Sequence, residues 1–184
     1  MHVTLRATLR SLRSQVLAPV VLSALRAVSR NRADFAVVHH SIQSNHVHLI
    51  VEASSTEALA SGMRGLTARL ARRTNIRLGR RGPVLSDRWH GVELTSPRQV
   101  RHALIYVLRN HAKHMRTANV CVAHVTKRAQ RVEDPLSSAT TFDGFAPVGT
   151  GAPRAGPVIA RTWLLRVGWK RHGLIRPEEA PAHG

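Results

Sequence analysis

The stretch from Phe35 to Ala53 constrains the fold more than any other. Phe35 to Ile42 and Asn45 to Ala53 are both rich in β-branched and apolar residues, and little more than Gln43-Ser44 separates them. Extended runs joined by so short a link predict two antiparallel strands around a tight turn. Side chains alternate between the faces of a strand. Along the second run this sends Val47, Leu49 and Val51 to one side and His46 and His48 together to the other.

The flanking segments extend the pattern. His2-Val3-Thr4-Leu5-Arg6 alternates as a strand would, and Val16 to Val28 reads as an apolar helix with Pro19 near its start. Ser54-x-x-Glu57 has capping-box spacing and opens a helix with Leu59, Met63, Leu66 and Leu70 on one stripe, running to about Arg73. Gly79 to Pro83 breaks the chain, and Val84 to Leu94 reads as a last strand. Ser96-Pro97 then supplies a cap and a first-turn proline for a helix carrying Val100, Leu104, Val107 and Leu108, reaching about Met115. The expected class is α+β, a βαββαβ antiparallel sheet with helices on one face, followed by an added tyrosine-bearing helix and a C-terminal tail. Two regions are expected, a domain over 1–116 and a C-terminal extension over 117–184. Within the latter, the Gly/Pro/Ala/Thr-rich stretch 141–157 reads as a flexible linker. Beyond it, a short helix near Arg161 to Lys170 should return Trp163, Leu164, Val167 and Trp169 to the core, with Glu178 and Glu179 left in solvent.

Charge narrows the partners. Twenty-eight Lys and Arg against ten Asp and Glu give a formal net charge of +18, which points to a polyanion. Between Met63 and Gly82 stand Arg64, Arg69, Arg72, Arg73, Arg77, Arg80 and Arg81 with no acidic residue, so this arm is the expected phosphate-binding surface. Aromatic residues make up only 4% of the chain, which argues against the extended base stacking of generic single-strand binders. A single cysteine, Cys121, allows no internal disulfide and suits a reducing, cytoplasmic setting. Val16 to Leu25 imitates a leader, but Pro19 and the lack of a small-x-small cleavage site argue against export. No apolar run approaches the ~20 residues needed to cross a membrane.

The candidate chemistry starts from the histidine pair, since two imidazoles on one strand face can share a divalent cation and leave positions open for water and a phosphate oxygen. The plain alternative is two exposed histidines on a polar face. Tyr106, the only tyrosine, lies on the last helix with Asn110 one turn later on the same face. A phenol, with an ordinary pKa near ~10, needs a neighbouring cation or base before it attacks a phosphodiester. A metal at His46 and His48 would supply that, with the Asn110 oxygen in its shell; otherwise Tyr106 packs on the sheet and Asn110 caps or faces water. Arg98, Arg101, Arg109 and Lys113 surround this helix and could guide a DNA backbone, although Arg101 and Arg109 also fit as ordinary surface residues. His90 is a candidate for a supporting role near the metal.

These residues resemble a known family, the single-tyrosine HUH transposases, in the branch associated with repetitive extragenic palindromes (REPs). The matching pieces are His2-Val3-Thr4, Asn45-His46-Val47-His48-Leu49-Ile50-Val51, Asp87-Arg88-Trp89-His90 and Tyr106-Val107-Leu108-Arg109-Asn110, in order, over roughly residues 2–115. The resemblance implies a ferredoxin-like fold, His46, His48 and Asn110 as ligands of Mg or Mn, and Tyr106 as nucleophile. It further implies cleavage and rejoining of hairpin-bearing single-stranded DNA through a 5′-phosphotyrosine, by a monomer or homodimer at the nucleoid. Two other readings stand beside it. One is a catalytically inactive nucleic-acid-binding module of the same fold. The other is a zinc hydrolase, for which 184 residues fall short of the about 250 typical of barrel enzymes.

Overall fold

The computed structural model describes residues 1–30, 32–118, 133–146, 160–176 and 179, with the backbone alone for 111–118. The chain forms two compact units, Met1–Glu93 and Leu94–Gly184.

The first unit is built from β1 (His2–Arg6), α1 (Ala18–Ser29), β2 (Phe35–Ile42), β3 (His46–Ala53), α2 (Thr56–Arg77) and β4 (His90–Val92). The strands form one sheet in the order β2-β3-β1-β4, with every pair antiparallel, as the βαββαβ reading requires. β3 is central because both its faces bury side chains, from Val47 to Glu52. α1 and α2 pack on each other and on β2 and β3. The face they cover carries Phe35, Val37, Val47, Leu49 and Val51, each at most 5% exposed. Burying each large aliphatic side chain of this kind contributes about 1.5–3 kcal/mol. α2 lies so close that a Cβ on Gly62 would come within 2.3 Å of the Phe35 ring, so only glycine admits this approach.

Local signals explain the element ends. Pro19 sits in the first turn of α1, where its missing N–H costs nothing. The cap of α2 falls on Ser55, whose Oγ accepts from the Ala58 N–H at 3.2 Å, one residue beyond the expected Ser54. Ser54 instead donates its backbone N–H to the Asp34 carbonyl. α2 also runs one turn past Arg73. Its end is a Schellman closure in which Arg80 N–H reaches Asn75 O and Gly79 N–H reaches Ile76 O, with Gly79 at φ 60. The last strand is much shorter than Val84 to Leu94. Before His90 the chain runs along the end of β1 and the residues after it, through the Ser86 N–H to Arg6 O bond, an Ala7–Leu85 bridge and the Thr8 N–H to Val84 O bond.

The second unit contains α3 (Pro97–Ala118), a 3-10 turn Ser138–Thr141, a short helix α4 (Trp163–Arg166) and a 3-10 turn Gly168–His172. Trp169, Phe142 and Ile175 are buried at 1%, 4% and 0% exposure, and Trp169 Nε1–H donates to the Leu165 carbonyl. Of the stretch read as a linker, Phe142 and Gly144 are buried, Phe142 stacks on Trp169, and Phe145 bridges to Ile175, while Asp143 is exposed. Residues 147–157 lie outside the described residues, as does Cys121. The expected helix over Arg161 to Lys170 is broken at Val167 into α4 and the 3-10 turn. Among the described residues, no helix is long and apolar enough to cross a membrane.

Candidate functional site

The histidine pair begins at a turn that the chain fastens from outside. Leu12 N–H donates to Ser44 O at 2.7 Å, Ala7 N–H to Asn45 O at 2.8 Å, and Arg13 Nη1 to Ile42 O at 2.6 Å. Gln43 turns inward, 5% exposed, and its Nε2 donates to Ser41 Oγ at 2.7 Å. The carbonyls flanking the β2–β3 connection are thus held by the segment after β1, which fixes where β3 starts.

From that start the pleat places His46 and His48 on the sheet face opposite α1 and α2. Their rings lie parallel, 8° apart in plane with centroids at 6.1 Å. His46 Nδ1–H donates to Asn45 Oδ1 at 2.8 Å, and His48 Nδ1 is 3.2 Å from Thr4 Oγ1, its partner across β1. Strand register gathers more histidines onto this face. His2 pairs with Ile50 and Val92, Thr4 with both His48 and His90, and His39 with Ile50, so His2, His39, His46, His48 and His90 share one side of the sheet. The His2 ring lies 5.7 Å from that of His48. Burial, followed by the positive charges of the amino terminus and His90, lowers the pKa of His2 to about 4. His2 is therefore neutral near pH 7, which limits repulsion of a cation. The sequence alone marked His46, His48 and His90; His2 and His39 join them only through pairing across strands.

Whether these residues suit a divalent metal follows from their tautomers. The Asn45 oxygen holds the His46 ring proton on Nδ1 and leaves the lone pair on Nε2, the arrangement in which imidazole ligates metals, and the Thr4 hydroxyl, which can accept as well as donate, is compatible with the same tautomer at His48. The pair fits a metal as two ligands. Among the described residues, no group of three or more His, Cys, Asp or Glu could hold a metal, so a third donor would have to be of another kind, such as an amide oxygen.

Tyr106 and Asn110 belong to the second unit, on α3. This helix is closed at its start by a reciprocal cap. Ser96 Oγ accepts from Gln99 N–H at 3.3 Å, and Gln99 Oε1 accepts from Thr95 N–H at 2.8 Å and Ser96 N–H at 3.1 Å. Val100, Leu104, Val107 and Leu108 are buried, as their spacing predicts. Tyr106 is half-buried and Asn110 is 3% exposed, so a solvent-facing Asn110 is ruled out. Arg109, 4% exposed, is not a surface residue either. Arg101 makes a bidentate pair with Glu179 at 2.7 and 2.8 Å and donates to Gly173 O and Leu174 O. Its charge therefore serves the tail, and Glu179 is not the solvated residue expected; Glu178 lies outside the described residues, as does the Lys113 side chain.

The arginine arm spans α2 and the turn after it. Arg64, Arg72, Arg77, Arg80 and Arg81 are exposed, while Arg69 and Arg73 are half-buried. Two are partly engaged: Arg73 Nη1 donates to Ser23 Oγ on α1, and Arg80 Nη2 to Pro83 O. Asn75 Nδ2 donates to Gly82 O at 2.8 Å, tying the turn back to the helix. Ile76, 73% exposed, stands among these charges, a feature that the stripe pattern did not single out.

No family model matches the sequence, and no curated protein matches it. Solved structures do. A candidate transposase from Deinococcus radiodurans superposes with a TM-score of 0.44 at 12% identity, over 65% of this chain and 87% of its own. A REP-associated tyrosine transposase bound to a REP hairpin superposes with a TM-score of 0.52 at 19% identity, over 86% of this chain and 92% of its own. The four-stranded antiparallel sheet with its helices thus has the fold of a REP-associated tyrosine transposase.

Proposed function

We propose that the protein is a metal-dependent DNA strand transferase that cuts and rejoins hairpin-bearing single-stranded DNA, with Tyr106 as nucleophile. The observation that carries this reading is the pair of parallel imidazoles on one sheet face, each with Nδ1 in a hydrogen bond. The fold shared with a hairpin-bound transposase supports DNA as the substrate.

His46, His48 and Asn110 would hold Mg or Mn, and the bound metal would supply positive charge to a scissile phosphate. The Tyr106 oxygen bonds to phosphorus, the P–O3′ bond breaks, and the departing O3′ takes a proton equivalent to that lost by the phenol. The products are a 5′-phosphotyrosine and a free 3′-hydroxyl. The reverse attack by a 3′-hydroxyl restores both the DNA and the phenol, so no external energy source is consumed. The arm from Arg64 to Arg81 and Lys113 would neutralise backbone phosphates.

The test is incubation of the full chain with a hairpin oligonucleotide and Mn, read on a denaturing gel. A DNA-linked species should form, vanish with EDTA, and be absent from Tyr106→Phe. A Phe variant that still forms it would overturn the assignment of the nucleophile. A second reading is a module of the same fold that binds without cutting. Salt-sensitive binding with no covalent species in Mg or Mn would establish that instead.

A further inference from the structure

The C-terminal tail carries a surface that the proposed chemistry does not use. Trp163 is 49% exposed and Val167, one turn later, 51%, although the sequence pattern assigned both to the core. The indole is nevertheless fixed. A Cβ on Gly168 would meet it at 2.6 Å, so the ring lies tight against the Gly168 backbone, and the Arg171 guanidinium sits 4.8 Å from its centroid. In the same segment Trp169, Leu165 and Ile175 are buried, and α3 packs against the Gly168–His172 turn. Arg101 bonds from α3 to Gly173 and Leu174 fasten the same segment.

An indole held half in water, layered with a planar guanidinium, is costly as a bare surface and apt as a stacking platform. Its surroundings select the partner. Residues 160–176 contain Arg161, Arg166, Lys170, Arg171 and Arg176 and no Asp or Glu; Asp143 lies 3.9 Å from Lys170 and Glu179 beside Arg176, and the balance, still positive, favours an anionic partner with flat, apolar faces over a protein patch. We infer that Trp163, Val167 and Arg171 form a second single-strand DNA contact, in which a base stacks on the Trp163–Arg171 pair and its phosphates meet the neighbouring arginines. Because this platform rides on the helix that carries Tyr106, it would hold a strand leading to or from the nucleophile. The inference rests on the reading of DNA as substrate, but it requires no cleavage.

The experiment uses the full chain and a hairpin-free oligodeoxythymidylate carrying one 5-bromodeoxyuridine. Ultraviolet irradiation should crosslink it to the peptide containing Trp163. Trp163→Ala should weaken binding about fivefold or more, Trp163→Phe should restore most of it, and Arg171→Gln, which leaves the buried side chains intact, should weaken it in the same direction. Crosslinks that map elsewhere, with Trp163→Ala and Arg171→Gln binding as tightly as wild type, would overturn the inference and leave the strand-transfer reading untouched. Absence of a Tyr106 adduct alongside a Trp163-dependent crosslink would do the opposite.

Discussion

Replacing Gly62 and Gly65 by alanine, three residues apart on α2, should move stability in opposite directions. At Gly62 the new methyl would lie 2.3, 2.4 and 2.7 Å from three ring atoms of Phe35, and that ring, 0% exposed, has no room to swing away. Overpacking of this severity costs up to about 3 kcal/mol. Alanine returns about 1 kcal/mol of helix propensity, leaving Gly62→Ala destabilised by about 2 kcal/mol. Gly65 has nothing within 4 Å of the same added atom, so Gly65→Ala keeps the propensity gain of about 0.5–1 kcal/mol. For a chain of this size, thermal melts by circular dichroism should show a fall of roughly 4–8 °C for the first and a rise of roughly 1–4 °C for the second. Equal shifts in the same direction would refute the close packing of α2 on β2, and with it the placement of the arginine arm that α2 carries.

Other outcomes follow from single contacts. Ser55→Ala removes the acceptor for the Ala58 N–H and should cost about 1 kcal/mol in urea unfolding, whereas Ser54→Ala should be near neutral. Changing the exposed Arg72, Arg77 and Arg81 to Gln together should lower the slope of log K against log salt for single-stranded DNA by about 2, at about 0.7 per lost phosphate contact. An unchanged slope would place the DNA elsewhere. His2 binds its proton more weakly when folded, at about 4 against an ordinary 6.5, so the unfolded chain gains protons first as the medium acidifies. Its contribution to stability is complete above 6.5 and declines as pH falls toward 4. Urea midpoints between these values should therefore drop less steeply for His2→Asn than for wild type.

What the sequence disclosed depended on whether a segment buries one face. β1 and the helices α2 and α3 do, and their periods of two and 3.6 residues were legible down to Val3, Leu66 and Leu104, whereas β2 and β3, buried on both faces, were marked by runs of β-branched and apolar residues. β4 does not: His90 and Val92 are exposed on an edge of only three residues, so no alternation marks its limits. The cap at Ser55 rather than Ser54 was ambiguous because either serine can accept from an N–H three residues on, and tertiary contact with Asp34 decided it. The one-turn extension of α2 was marked by Gly79, a suitable residue for a helix-ending left-handed position. His46 and His48 were visible as neighbours on one strand. Their company on the sheet, His2 and His39, is set by register between distant segments, which local pattern does not encode. Trp163 went astray because a tryptophan in a short apolar run looks the same whether it enters a core or stands against a glycine at the surface.

The central claim is that the phenol oxygen of Tyr106 becomes bonded to DNA. Digesting the covalent species formed with a hairpin oligonucleotide and sequencing the modified peptide by tandem mass spectrometry tests it most directly. The account predicts a 5′-linked nucleotide on Tyr106 and on no other residue. A nucleotide carried by a serine or a histidine would contradict it.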